Sequence, residues 1–293
     1  MKDTPLISVL IANYNNGCFL KEAIDSVRSQ RYDNWEIVIV DDGSSDGSEA
    51  VYDSLKDDVR IRIYRNGENK GVGYTKRRCV ELAEGELCSF LDPDDVLLGE
   101  DALETMVQEH LKHPEASLVY SGLYRADVNL TIQKPSPGKR IGEGSSALEM
   151  REWPIHPLLA FKMSAYKKTE GIDPFMKNAE DYDLFYQLEE VGDLVYVDRI
   201  TYIQRNNPRS ISLNDNSYKS AVWHSYACIK AMKRRGLTDE SLLLFPVEKA
   251  MDKAYRRGYA KAVSSRIYRL GKVIASPVLL IQGIRKKLDS GRK

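Results

Sequence analysis

The chain has 293 residues, 42% of them apolar, and equal numbers of acidic and basic side chains, so its formal net charge is zero. That length accommodates one large α/β domain with an appendage, or two domains of ordinary size, and the charge balance supplies no global attraction for nucleic acid. The four cysteines (Cys18, Cys79, Cys88 and Cys228) form no Cys-x-x-Cys pair and no zinc-finger spacing with histidine, which reads as free thiols in a reducing compartment.

The N-terminus runs straight into a strand-like segment without the layout of a secretion signal. No apolar run reaches the length that crosses a bilayer, so the chain is expected in the cytoplasm. Leu6 to Ala12 is an almost continuous apolar run, as in a strand buried on both faces. Phe19 to Val27 carries Leu20, Ala23, Ile24 and Val27 at helical spacing. Glu36 to Val40 predicts a second buried strand, Ser48 to Leu55 a helix, Arg60 to Tyr64 a half-exposed strand and Tyr74 to Ala83 a helix. A strand over Leu87 to Leu91, a helix over Ala102 to His113 and a strand over Ser117 to Tyr120 follow. Residues 125–150 are polar and rich in proline and glycine, the composition of a long loop or insertion. Ala179 to Val191 predicts a helix, and Leu194 to Val197 and Ile200 to Ile203 two closing strands. Beyond about residue 215 the pattern is helical. The alternation predicts a mostly parallel sheet with helices on both faces, followed by a helical C-terminal extension.

In an open α/β sheet, ligands bind at the carboxyl ends of the parallel strands. Asn13, Tyr14 and Asn15 follow the first predicted strand, Asp41-Asp42-Gly43-Ser44 the second, and Asp92-Pro93-Asp94-Asp95 the Leu87 strand. Aspartates are hard oxygen donors suited to Mg2+ or Mn2+, and such an ion can bridge diphosphate oxygens and neutralise a departing nucleoside diphosphate. The same Asp-Pro-Asp-Asp run also fits a turn plus a helix N-cap; the matching Asp41-Asp42 cluster is what favours a site. Neither acidic run fits an EF-hand, and there is no P-loop, no Gly-x-Gly-x-x-Gly and no nucleophile elbow. Glu180-Asp181 opens a predicted helix, where acids favour the helix dipole; the alternative role is a general base for an attacking hydroxyl.

Taken together, Ile7 to Asn15, Val38 to Asp46, Glu68-Asn69-Lys70-Gly71, Glu84-Gly85-Glu86 and Phe90 to Asp95 resemble glycosyltransferase family 2. The likeness continues through His156-Pro157 and Ala179 to Leu184 to Arg205 and Ser210-Ile211-Ser212, over roughly the first 215 residues. It implies a GT-A fold (Rossmann-like α/β), an inverting, metal-dependent transfer and a nucleotide-diphosphate sugar donor, usually a UDP-sugar. It further implies that Ala12 and Tyr14 flank the base beside Asn15, that Asp42 reads the base edge, and that Asp92 faces the ribose. Asp94, with Asp95, would hold Mn2+ or Mg2+; Asp181 would be the base with Glu180 beside it. Arg205, Ser210 and Ser212 would close over the diphosphate, and His156 would line the acceptor side. Two other readings stand beside this one: a non-catalytic sugar-nucleotide-binding or scaffold subunit, and a glycoside hydrolase using two carboxylates.

Three departures from the family pattern stand out. Ala12 replaces a frequent Thr. Thr75-Lys76-Arg77 replaces Ala-Arg-Asn, so Lys76 keeps a charge but loses the bidentate fork. Asn206-Asn207-Pro208-Arg209 stands where many members carry a histidine. The division expected is a GT-A domain over 1–215 and a helical extension over 216–293. From Arg266 to Lys293 eight basic residues face one Asp, with apolar residues at Ile267, Leu270, Val273 and Ile274 and again after Pro277. That pattern fits peripheral attachment over 265–293 to an anionic membrane face, near a glycan or lipid-linked acceptor. It equally fits packing onto the catalytic domain or a second subunit.

Overall fold

Apolar side chains alternate along the first strands, and each face of the sheet acquires its own core. The computed structural model describes residues 4–142, 144–150, 159–211 and 217–238, with 242, 251–252 and 255–256. β1 (Ile7–Asn13) and β2 (Trp35–Asp41) send Ile7, Val9, Ile11, Ile37 and Ile39 to one face and Leu10, Val38 and Val40 to the other. On the first face lie α1 (Gly17–Arg28), α2 (Ser48–Asp53) and α4 (Ala102–Lys112), which bury Leu20, Ile24, Val27, Tyr52, Leu103 and Met106. On the second lie α3 (Val72–Leu82), α5 (Met163–Tyr166) and α6 (Glu180–Glu189), which bury Cys79, Val80, Ala165, Leu184, Phe185 and Leu188. Each fully buried Leu, Ile or Val contributes roughly 1.5–3 kcal/mol relative to exposure.

The remaining strands are β3 (Ile61–Arg65), β4 (Leu87–Phe90), β5 (Val96–Leu97), β6 (Ala116–Ala126), β7 (Ile132–Ser136), β8 (Leu159–Lys162) and β9 (Asp193–Arg205). They form one sheet in the order β3-β2-β1-β4-β8-β6-β9-β5, with β7 paired to β6. The four strands β3, β2, β1 and β4 are parallel, as the alternation predicts. Beyond them β8 enters antiparallel between β4 and β6, while β6 and β9 run parallel, so the sheet as a whole is mixed.

Two expectations are corrected. Residues 125–150 are not one long loop: β6 runs on to Ala126, and β7 returns beside it through a turn in which Asp127 Oδ1 accepts from the Asn129 and Thr131 amides, each at 2.9 Å. β7 is an exposed edge strand, where Pro135 removes no hydrogen bond the sheet needs. The two predicted closing strands are a single strand, β9. Four steps along it, from Tyr196 to Ile200, match two along β6, from Tyr120 to Gly122. The charged Asp198-Arg199 in this bulge mimic a turn.

α7 (Ser217–Arg235) packs along α6. Asp183, only 1% exposed, takes Lys230 at 2.8 Å and Arg234 at 2.9 Å, and Arg235 bonds Glu189, Glu190 and Ser146. The start of the expected extension is thus fastened to the α/β domain. The 265–293 tail lies outside the described residues, and among those described no helix is long and apolar enough to cross a membrane.

At the amino ends of the strands, Glu36 binds the Ser8 hydroxyl at 2.5 Å, the Glu84 amide at 2.7 Å and Arg62. Glu84-Gly85-Glu86 therefore serves this tie, at the opposite end of the sheet from the Asp-rich loops. Burial alone would raise the Glu36 pKa, but Ser8, Glu84 and Arg62 together hold it below the usual carboxylate value. Its stabilisation is therefore complete above the ordinary carboxylate range and fades as pH falls through the depressed folded value. Glu36→Gln is expected to cost about 1–3 kcal/mol near pH 7. The difference in melting temperature from wild type should shrink on acidification to pH 3, in a series followed by circular dichroism.

Candidate active site

The carboxyl ends of β1, β2 and β4 meet at one rim, as the strand order requires. β1 ends in Asn13, fully buried, whose amide reaches Ser48 Oγ at 3.0 Å and Tyr52 Oη at 2.8 Å. Asp41 accepts from Tyr52 at 2.6 Å and from the Ser44 amide at 3.0 Å, so the first acid of the Asp41-Asp42 pair belongs to the scaffold. Asn15 sits in the left-handed region at φ 55° and ties the turn after β2, accepting from the Ser45 amide at 2.8 Å. That turn requires Gly43, at φ 77°, where a Cβ would lie 2.9 Å from the Glu68 backbone.

Asp42, expected at the base edge, is 3% exposed. Its Oδ1 accepts from Asn66 Nδ2 at 2.7 Å and the Lys70 amide at 2.8 Å, and its Oδ2 from the Gly71 amide at 2.9 Å. It thus holds the loop that launches α3, with one lone pair on Oδ2 left for a ligand. Ala12 is half-buried, and Tyr14 projects at 46% exposure.

The Asp92-to-Asp95 run divides in a way its sequence does not display. Asp95, expected as a metal ligand, is 2% exposed, and both oxygens are committed: Oδ2 accepts from Tyr202 Oη at 2.8 Å and Oδ1 from the Arg205 amide at 2.7 Å. It pins the loop to β9. Nor does it cap α4, whose cap position is Asp101. Burial, then the charges of Asp94 and Asp92, drive the Asp95 pKa well above the ordinary value. Asp94 accepts from Asn207 Nδ2 at 2.7 Å through Oδ2, while Oδ1 has no partner among the described residues. Its pKa is raised by burial and then by Asp92, with Asn207 opposing. A half-buried carboxylate with a vacant oxygen beside a second carboxylate is a donor set that suits a hard divalent cation. Among the described residues no three acids, histidines or cysteines form a ready-made cage, so such an ion would need ligands beyond these side chains.

Arg205, expected over the diphosphate, is placed by its bonds in the scaffold behind the Asp94 loop. It is 3% exposed; its Nε donates to the Asp94 carbonyl at 2.6 Å, and its remaining nitrogens to the Val128 carbonyl and Glu22. Phe19 stacks beneath the guanidinium at 4.5 Å. Ser210 is half-buried on the segment that follows, its amide donating to the Asn207 carbonyl at 3.0 Å. Ser212 and His156 lie outside the described residues.

α3 and α6 complete the site from the second face. Gly73 lets α3 pass close to the loop that leads into α6: its amide donates to the Met176 carbonyl at 3.2 Å, and a Cβ there would stand 2.4 Å from the Asp173 carbonyl. One turn on, Lys76 projects into the rim with its side chain 12% exposed. Its Nζ lies 2.8 Å from Glu180 Oε1, 3.6 Å from Asp92 Oδ1 and 5.3 Å from the Phe90 ring centre. Burial disfavours the ammonium, yet Glu180, Asp92 and Asp181 together hold its pKa above the usual lysine value. Ala179, at φ 57°, is a left-handed alanine at the start of α6, a conformation that costs about 1–2 kcal/mol. It turns Glu180 and Asp181 toward Lys76. Burial and then Glu180 push the Asp181 pKa up to about 7, with Lys76 opposing.

Sequence reasoning missed two things here. Lys76 joins Asp92 to Glu180 rather than reaching only for a ligand, and Asn207 stands on Asp94. The departures from the family pattern at these two positions were the available signal.

Residues 8–169 match the profile of Glycosyl transferase family 2. The chain belongs to that family. Its curated relatives include the chondroitin synthase of Escherichia coli, 28% identical over 69% of this chain and 29% of that protein. A hyaluronan synthase of Pasteurella multocida is 30% identical over 68% of this chain and 20% of the relative. The chain thus spans less than a third of these two family 2 relatives. An uncharacterized glycosyltransferase of Haemophilus influenzae is 28% identical over 75% of this chain and 86% of its own length. Among solved structures, S. aureus TarS 1–349 in complex with UDP-GlcNAc superposes with TM-score 0.64 at 16% identity, covering 89% of this chain and 76% of that one. The Pyrobaculum calidifontis mannosyltransferase PcManGT with GDP-Man and Mn2+ gives TM-score 0.64 at 17% identity, covering 96% and 81%. These likenesses show the GT-A fold of family 2 glycosyltransferases.

Two outcomes test this account of the site. Gly73→Ala should destabilise the protein by about 1–3 kcal/mol, seen as a lower urea midpoint. Lys76→Met removes the cation that favours ionised Asp181, so the Asp181 titration, followed by carboxyl-carbon NMR, should move upward from about 7. An unmoved titration would disprove the coupling.

Proposed function

We propose that this family 2 chain is an inverting glycosyltransferase that moves a sugar from a nucleoside-diphosphate donor to an acceptor hydroxyl. A UDP-sugar is the favoured donor, and a glycan or lipid-linked acceptor in surface polysaccharide or glycolipid assembly the favoured context. The observation that carries this reading is the juxtaposition of Asp181, with its proton affinity tuned to about 7, and the Lys76–Asp92 pair at the strand-end rim. A base is most effective when its pKa lies near the working pH. The names of the relatives support the context: polysaccharide synthases in sequence, and neighbours bound to UDP-GlcNAc and GDP-Man in fold.

In this reading Asp181 accepts the proton of the acceptor hydroxyl while its oxygen attacks the anomeric carbon. The bond from that carbon to the diphosphate breaks on the opposite face, and the electron pair leaves on the diphosphate oxygen. Lys76 supplies a fixed cation at the rim, and Glu180 holds its ammonium in place. Tyr14 and Ala12 flank the base, Asn15 and Asp42 shape its pocket, and Asp92 takes the ribose. Ser210 and Ser212 belong to the segment closing over the phosphates, and His156 to the acceptor side. Mn2+ or Mg2+, held chiefly by Asp94, would neutralise charge on the leaving diphosphate when bound. The basic 265–293 segment would serve peripheral contact with the inner face of a membrane.

Asp181→Asn should lower transfer by about 10²–10⁴-fold while preserving stabilisation by UDP with Mn2+ in a thermal-shift assay. Donor binding with no transfer or donor hydrolysis in the unsubstituted protein would instead identify a binding subunit. Turnover of an oligosaccharide without nucleotide would identify a hydrolase.

A further inference from the structure

Between the loop that precedes α6 and helix α7, the surface opens into a groove of about 350 Å³ lined, among the described residues, by Asp173, Phe175, Met176, Val222, Trp223 and Tyr226. Its volume falls at the lower end of the range for small-molecule sites. Three of its six walls are aromatic. Phe175 is 83% exposed and Tyr226 44%, and the Trp223 and Tyr226 rings meet edge to face with centres 5.8 Å apart. Large apolar rings left in water cost hydration free energy unless something covers them.

The rim is polar in a defined way. Asp173 Oδ2 pairs with Lys230 Nζ at 2.7 Å, Asp173 Oδ1 accepts the Phe175 amide at 3.0 Å, and the ammonium lies 5.9 Å from the Tyr226 ring centre. Aromatic faces with a carboxylate and an ammonium at their edge match a pyranose, which has apolar C–H faces and a girdle of hydroxyls. An acyl chain would cover the rings but leave the ion pair desolvated without recompense.

The chain links the groove to the reacting centre. The carbonyl of Met176, one of its lining residues, accepts the Gly73 amide, and three residues further on Ala179 turns the chain into Glu180 and Asp181. We propose that this groove is a subsite for a sugar ring of the acceptor glycan, away from the hydroxyl that receives the transferred sugar. The proposal rests on the glycosyltransferase reading and names its acceptor as a glycan long enough to reach from Asp181 into the groove. A relayed acceptor of this kind is held by more than its reacting ring, which fixes the attacking hydroxyl in place.

The test uses the full chain and saturation-transfer NMR. The probes are unbranched di- to tetrasaccharides of glucose, galactose, mannose and their 2-acetamido forms, with dodecyl phosphate as the lipid arm. At least one saccharide should bind, and Trp223→Ala should weaken it by about threefold to tenfold, the scale of one aromatic contact. Val222→Arg, at a half-exposed position where no core is lost, should weaken it comparably by filling the groove. Binding of none of the saccharides, binding indifferent to both substitutions, or binding of dodecyl phosphate alone overturns the proposal. UDP-induced stabilisation of the unsubstituted protein is measured in parallel. Its absence counts against the donor-dependent reading, whereas its presence beside a silent groove removes only the subsite.

Discussion

An ammonium taken out of water needs anionic company, and Lys76 finds it in carboxylates that the chain supplies from far apart. Asp92 arrives at the end of β4 and Glu180-Asp181 at the start of α6, almost ninety positions later in the sequence. Without the cation these acids would repel one another, and buried Asp181 would hold its proton more tightly. With it, Asp92 is paired at the rim and Asp181 is brought to a proton affinity near neutrality. The position of the site within the sheet, the close pass at Gly73 and the left-handed Ala179 all converge on this one contact.

Around that contact the protein spends its other polar groups on rigidity. Asp41, Asp42 and Asp95 look in sequence like partners of a ligand, yet most of their lone pairs are occupied by the chain's own donors. Arg205 does the same from the opposite charge, locking the Asp94 carbonyl, Val128 and Glu22 together. The loop that carries Asp92 and Asp94 at the strand-end rim has its backbone fixed from behind. Buried acids and a buried guanidinium do this more directionally than apolar packing can, because their hydrogen bonds specify orientation as well as contact.

The first half of the fold was legible because its strands are buried on both faces and its helices show one apolar stripe, patterns set by local periodicity. The rim was legible for the same reason: strand ends in a parallel sheet fall together whatever the loops contain. The β6–β7 hairpin and the bulge in β9 were not, since an edge strand tolerates proline and a bulge places charges where a turn would. The division of labour among the acids was also hidden. Whether an aspartate faces a ligand or its own backbone depends on Tyr202, Asn66 and Asn207, which approach only after folding. The meeting of Lys76 with Glu180 depends on two helices on one face of the sheet, and no spacing in sequence encodes it.

The shared ammonium has a consequence for how such a chain can change. Substitutions at Lys76, Asp92 and Glu180 cannot act independently, because each alters the electrostatic environment in which the other two were tolerable. A neutral residue at one position leaves an excess charge at the others, so single steps away from this arrangement pass through a weakened protein, while paired steps need not. Mutational effects within this small group should therefore be strongly epistatic. Lys76 would then be readable as part of a compensated set rather than as an isolated choice at one site.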